Sequence, residues 1–338
     1  MRNLYIHCGL PKTGTTSLQK FLAAARRDLR ADGFDYPDVG VSADGTAHHN
    51  LAREMLGDSQ FAADRGTCAD ILRYFEREDR SPKIILSSEG LTHCLFRARS
   101  VLLNFVQASK SENDAVHLIF TFRRFSKISE STYLYNLRSG AGTPERAEPV
   151  RLEKTRRWLK KLSSGLVALR DLVGKDRFLV SDIENGGGDS VAVFSELLGI
   201  SSRLRPDEEP RFNKRIGLKK AALLHKLQYA AAQGNGPLMP PEKVAKARRR
   251  LLAMPDFPNE VFDYRVIPYE DANSIQRIAR DTLPEFVTSK IELALCPEPA
   301  PYEAVDLRSV FLSGEDLDIV RAALRKRMSA QLPWLLAQ

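Results

Sequence analysis

The stretch NLYIHCGLPKTGTTSLQKFL, residues 3–22, changes its periodicity across a glycine-rich turn. Asn3 to Cys8 is a short apolar run, the pattern of a strand buried on both faces. Beyond the turn, Leu18, Phe21, Leu22, Ala25 and Leu29 recur at helical spacing, which predicts an amphipathic helix from Thr15 to about Leu29. Strand, turn and helix in that order open a parallel α/β unit. Three more apolar runs read as strands: KIIL at Lys83–Leu86, VHLIFTF at Val116–Phe122 and RFLV at Arg177–Val180. Helical patterns at Ala69–Glu78, Val101–Ser109, Ser126–Arg138 and Leu152–Leu172 separate them. Strands alternating with helices predict an α/β fold, a parallel sheet flanked by helices.

The pattern turns helical after Asp189. Gly186-Gly187-Gly188-Asp189 reads as a loop and helix start, and Val191–Leu198 runs to Gly199, a helix stop. Further helices are predicted at Leu218–Ala232, Lys243–Leu252, Ser274–Leu293 and Leu317–Met328. Gly234-Asn235-Gly236-Pro237 and Pro240-Pro241 break the chain between them. The expected organisation is an α/β core over residues 1–235 and a helical C-terminal extension over 236–338. No internal repeat and no low-complexity tract interrupts either part.

Composition narrows the class. With 338 residues, 43% hydrophobic, the chain can bury a sizeable core, so wholesale disorder is excluded. No run approaches the roughly 18 apolar residues of a membrane span. The start lacks the apolar stretch and small-residue cleavage site of a signal peptide. Cys8, Cys68, Cys94 and Cys296 show no CxxC spacing, which speaks against zinc and a disulfide scaffold. The expectation is a reduced, cytoplasmic protein. The net charge of +8 and pI near 9.3 suit an anionic ligand. Nucleic acid is the weaker branch, because no aromatic-interleaved basic signature and no zinc-finger spacing is present.

The turn itself, Gly9-Leu10-Pro11-Lys12-Thr13-Gly14-Thr15-Thr16-Ser17, has the makings of a phosphate cradle. Backbone amides and the positive end of a helix favour an anion, and Gly14 has no Cβ to obstruct a close approach. Thr15, Thr16 and Ser17 can cap the helix or donate to phosphate oxygens. The nucleotide-triphosphatase loop reads G-x-x-x-x-G-K-[ST]. Gly9 and Gly14 match its glycines, but Thr15 stands where its lysine belongs, and the lysine is at Lys12. Without that lysine, ordinary ATP phosphoryl transfer is disfavoured.

PKTGTTS at Pro11–Ser17 resembles the 5′-phosphosulfate loop of sulfotransferases that use 3′-phosphoadenosine-5′-phosphosulfate (PAPS), in a three-layer fold like that of P-loop proteins. The resemblance implies that Lys12, Thr13, Gly14, Thr15, Thr16 and Ser17 bind the cofactor and that Lys12 neutralises the leaving phosphate. A second element agrees: VHLIFTF ends in Arg123, and Ser131 follows eight positions later. In the family that pair holds the 3′-phosphate, and arginine at a strand end suits phosphate capture. Arg124, one position off register, is assigned to surface, helix-packing or substrate roles. Arg215-Ile216-Gly217 resembles the family's Arg-Lys-Gly stretch, with Ile in place of Lys, and adds Arg215 to the cofactor set. The resemblance covers roughly residues 3–215.

Sulfuryl transfer needs a base for the acceptor hydroxyl. Glu89, in Ser87-Ser88-Glu89-Gly90, leaves the KIIL strand at the edge where ligands of such sheets bind. A glutamate base in this place is similar to that of carbohydrate sulfotransferases, which implies a glycan acceptor. Histidines are the rivals, since cytosolic small-molecule sulfotransferases use one. His93 follows Glu89 by four residues, and His48-His49 resembles an acceptor-side element, so His48, His49 and His93 are assigned to the substrate. His7 reads as a core histidine. No metal is expected. The expected reaction is transfer from PAPS to a carbohydrate hydroxyl, leaving 3′-phosphoadenosine 5′-phosphate (PAP). A nucleotide-dependent kinase with a degenerate loop and a non-catalytic nucleotide-binding interaction module are the alternatives.

Overall fold

The computed structural model describes residues 2–79, 81–140, 152–201, 216–232, 241–262, 264–291 and 304–324. Among these residues the sheet has five parallel strands, β1 (Asn3–His7), β2 (Phe34–Asp35), β3 (Lys83–Ser87), β4 (Ala115–Phe122) and β5 (Phe178–Asp182). Their order is β2-β3-β1-β4-β5. Helices α1 (Thr15–Ala24), α2 (Arg26–Ala31), α3 (His49–Leu56), α4 (Cys68–Glu76), α5 (Gly90–Arg97) and α6 (Arg99–Ser111) precede β4. After β4 come α7 (Phe125–Ser139), α8 (Leu152–Val173), α9 (Ser190–Leu198), α10 (Leu218–Ala232), α11 (Pro241–Ala253), α12 (Tyr269–Thr282), α13 (Glu285–Thr288) and α14 (Gly314–Leu324).

The chain divides into two compact units. The first comprises Met1–Arg124, Glu153–Phe212 and Arg277–Leu293, and the second Phe125–Leu152, Asn213–Gln276 and Ala294–Gln338. The α/β class read from the sequence is therefore the fold of the first unit, and each unit is assembled from three separate stretches of chain. Periodicity shows which residues of a helix are apolar; it does not show which neighbour covers them.

In the first unit β1 lies between β3 and β4, with Ile6 level with Leu86 on one side and Leu118 on the other. Its strands are apolar on both faces because both are covered. One face meets α1, α2 and α9: Leu18, Phe21, Leu22, Leu29, Val191 and Phe194 pack with Ile85 and Ile119. The pleat turns Ile84, Leu86, Leu118 and Phe120 to the opposite face, where they are fully buried. There α6 packs on β4 and against α5. The second unit is built from α7, α10, α11 and α14 around Leu134, Leu137, Leu224, Leu227, Leu251 and Val320.

The sequence pattern did not predict α5, and three further elements differ from the sequence expectation. β2 has two residues, pairing Phe34 with Lys83 and Asp35 with Ile84, too short to register as an apolar run. The helix expected over Thr15–Leu29 breaks at Ala25 (φ −87°, ψ 8°), and the next residue, Arg26, donates to the carbonyls of Tyr36 (2.9 Å) and Gly45 (2.8 Å). The helix expected over Ser274–Leu293 stops at Thr282, because the residue before Pro284 disfavours the α region.

Candidate functional site

The site is built where β1, β3 and β4 end. The chain leaving β1 stays tied to its neighbour: the Cys8 amide donates to the Ile119 carbonyl (2.8 Å) and the Leu10 amide to that of Thr121 (3.3 Å). Thr92 on α5 donates its hydroxyl to the carbonyls of Cys8 (3.0 Å) and Gly9 (3.1 Å). The turn then passes through two left-handed residues, Lys12 (φ 67°) and Gly14 (φ 77°). For lysine this conformation is uncommon and costs on the order of 1 kcal/mol. Gly14 precedes α1, whose first backward bonds run from the Ser17 and Leu18 amides to the Gly14 carbonyl (3.1 and 3.2 Å). The amides of Thr15 and Thr16 are thus donors of an uncapped helix start, the arrangement that binds anions.

The hydroxyls of this loop divide into different tasks. Thr13 is fully buried and donates to the Leu10 carbonyl at 2.6 Å, so its side chain holds the loop, and only its amide is left for a ligand. Thr15 is buried and donates to Glu89 Oε2 at 2.7 Å. Thr16 is exposed and Ser17 half-buried. Gly14 has a reason the sequence did not give. A Cβ there would lie 2.7 Å from Ser190 Oγ, and that hydroxyl donates to the Gly14 carbonyl (2.9 Å). Gly9 is similarly confined, since a Cβ would meet the Thr15 methyl at 2.3 Å.

On one side of the loop stands the end of β3. Glu89 is half-buried at the start of α5 and lines a cleft of about 270 Å³ with His49, Ala52, Arg53, Leu56, Asp58, Gly90, His93 and Arg97. His49 Nδ1 lies 2.8 Å from Ser88 Oγ, which accepts from the Gly90 amide at 3.1 Å. Burial pushes the His49 pKa below its ordinary 6.5, while the Glu89 carboxylate pulls the other way. His93 is exposed at the cleft. His48 is a correction to the substrate set. It is fully buried; its Nε2 donates to the Pro37 carbonyl (3.0 Å), and its Nδ1 accepts from the Ser87 amide (3.2 Å). Burial holds its pKa at about 3.

On the other side is the end of β4. Arg123 Nε donates to Glu184 Oε1 (3.2 Å) and Nη1 to the Lys12 carbonyl (3.3 Å), so the guanidinium bridges the loop and the turn that follows β5. Among the described residues nothing accepts from Nη2. Ser131 lies half-buried on α7, a helix of the second unit. Arg215 lies outside the described residues. His7 is the core histidine expected: it lies between Ser87 Oγ (2.9 Å) and Thr121 Oγ1 (3.0 Å), with its pKa lowered by burial to about 3.

The sequence reading missed Glu184, Ser190, Arg53 and Arg97. Glu184 follows a strand end, the same signal that singled out Glu89. Arg53 and Arg97 each stand four positions after a singled-out histidine, one helical turn away. Ser190 carried no signal. Among the described residues no group of three or more His, Cys, Asp or Glu could hold a metal ion, and no helix is long and apolar enough to cross a membrane. Cys8, Cys68 and Cys94 are free thiols, each with its pKa raised by burial. Comparison of the chain with models of protein families, with curated proteins and with solved structures found no match.

Proposed function

We propose that this chain transfers a sulfuryl group from PAPS to the hydroxyl of a carbohydrate acceptor. The observation that carries the reading is the Thr15 Oγ1–Glu89 Oε2 hydrogen bond at 2.7 Å. It fixes a carboxylate at the rim of a helix start suited to phosphate, so a bound phosphosulfate and a proton acceptor fall within one residue of each other. A base must lie within hydrogen-bond reach of the proton it removes, and Glu89 also faces a cleft large enough for part of an acceptor.

In this mechanism the amides of Thr13, Gly14, Thr15 and Thr16 hold the 5′-phosphate. Glu89 takes the proton of the acceptor hydroxyl as the new O–S bond forms. The bond from sulfur to the bridging phosphate oxygen breaks, and Lys12 stabilises the charge that develops there. Arg123 offers Nη2 to the 3′-phosphate, while Glu184 keeps the guanidinium in place.

A thermal-shift panel with PAP, ATP and ATP–Mg²⁺ tests the cofactor. A selective rise in Tm with PAP is expected, since a ligand of the folded state stabilises it. Preference for ATP–Mg²⁺ would favour the kinase alternative, and PAP binding without turnover on any acceptor would favour the interaction module. Glu89→Gln tests the base. It should keep the PAP shift and lower turnover by about 10²–10⁴, the usual worth of a general base. Should Glu89→Gln stay active while His49→Ala or His93→Ala loses turnover with the PAP shift intact, the base is that histidine.

A further inference from the structure

The cleft beside Glu89 has a chemistry of its own. α3 and α5 pack together, and each sends into the cleft a histidine followed one turn later by an arginine: His49 and Arg53 from α3, His93 and Arg97 from α5. The remaining lining is Ala52, Leu56 and Gly90, with the carboxylates Asp58 and Glu89. Both carboxylates already accept hydrogen bonds, Glu89 from Thr15 and Asp58 from the Gln60 amide (2.8 Å). Neither guanidinium is matched by a carboxylate among the described residues, although Arg53 is half-buried. Asp58 and Glu89 share the cleft without forming an ion pair to either guanidinium, so the N–H donors of Arg53 and Arg97 stay open to an anionic ligand. The lining also offers no Trp, Tyr or Phe face on which a neutral sugar ring would stack.

We infer that the cleft takes an acceptor bearing an anionic group beside its reactive hydroxyl, a carboxylate or phosphate ester, and that Arg53 and Arg97 hold that group. The inference rests on the sulfotransferase reading for what happens at the hydroxyl, but the anion preference is a property of the cleft alone. Guanidinium forks match carboxylate and phosphate geometry, so they discriminate charged from neutral acceptors. Arg53 and Arg97 set specificity by placing the anion, which turns the neighbouring hydroxyl toward Glu89.

The test uses the full chain and three methyl glycosides that differ at one position: the glucuronate, the glucoside 6-phosphate and the glucoside. Binding is followed by NMR titration, with and without PAP. At least one anionic glycoside should bind about tenfold or more tightly than the neutral one, the worth of a charge-assisted hydrogen bond, and comparison of the two separates carboxylate from phosphate. Arg53→Ala and Arg97→Ala should each lose most of that preference, and the Lys variants should retain part of it. Equal binding of all three glycosides by the wild type overturns the inference, a result that needs no variant to fold. So does a preference that survives in Arg53→Ala/Arg97→Ala. The PAP thermal shift is read separately: a wild type that prefers the anionic sugars but ignores PAP overturns the sulfotransferase reading and leaves the cleft's anion preference standing.

Discussion

Lys12 occupies a backbone conformation that glycine would adopt at less cost, so its side chain has to justify the position. Alanine would meet the same steric restriction, because it too carries a Cβ. Lys12→Ala should therefore leave the fold nearly as stable as before and lower turnover by about 10²-fold, by analogy with loss of an oxyanion donor. Steady-state kinetics beside a denaturation curve separates the two effects, and near-normal turnover would remove Lys12 from the mechanism. Arg123 was legible from its strand end, yet its surroundings were not. Glu184 occupies its Nε and the Lys12 carbonyl its Nη1, which leaves Nη2 rather than a two-nitrogen fork. Arg123→Ala should weaken PAP about tenfold and leave adenosine 5′-phosphosulfate, which lacks the 3′-phosphate, almost unaffected. Equal weakening of the two nucleotides would show that Arg123 does not read the 3′-phosphate. His48 was misread for a physical reason: a histidine beside a helix start looks the same in sequence whether its ring faces a ligand or satisfies a neighbouring strand.

Among the elements, β1, the loop and α1 were legible because three signals coincide there: an apolar run, paired glycines and helical spacing. α9 was legible from its stop, Gly199, which takes the left-handed conformation (φ 67°) at its end. The starts of α4 and α14 lay in the sequence unread. Thr67 and Asp70 cap α4 reciprocally, and Ser313 and Asp316 do the same before α14. The junction of the loop with α9 lay beyond sequence reasoning, since Gly14 and Ser190 are 176 positions apart. Gly14→Ala puts a Cβ at positive φ and 2.8 Å from the Ser190 Cβ, which no side-chain rotation relieves. The expected loss is about 1–3 kcal/mol of stability, with a weakened PAP shift. Ser190→Gly in the same chain should recover the steric part and not the backbone part. Urea denaturation of the wild type and both variants checks this, and an unchanged midpoint for Gly14→Ala would refute the packing argument.

At the scale of the whole molecule, acid stability follows from two buried histidines. His7 and His48 have pKa values of about 3, against an ordinary 6.5. Between those values the unfolded chain takes up protons that the folded chain does not. Their contribution is thus complete well above pH 6.5 and declines as pH falls through 6.5 toward 3, approaching about 1.4 kcal/mol per pH unit for each histidine. Unfolding free energies at pH 7.5, 6.5 and 5.5 should fall slightly across the first step and about three times as much across the second; a level profile throughout would contradict neutral burial of both rings. Domain organisation was the least legible feature, because the first unit is assembled from three separate stretches of chain. Its last stretch, Arg277–Leu293, brings Phe286 edge-on to Phe178 of β5 (5.4 Å) and beneath the Arg170 guanidinium (4.3 Å). During synthesis β5 therefore leaves the ribosome about a hundred residues before the ring that covers it. A growing chain halted near residue 236 would hold every described strand of the sheet and still present Phe178 to chaperones, so the sheet's last edge is closed only after Phe286 has been made.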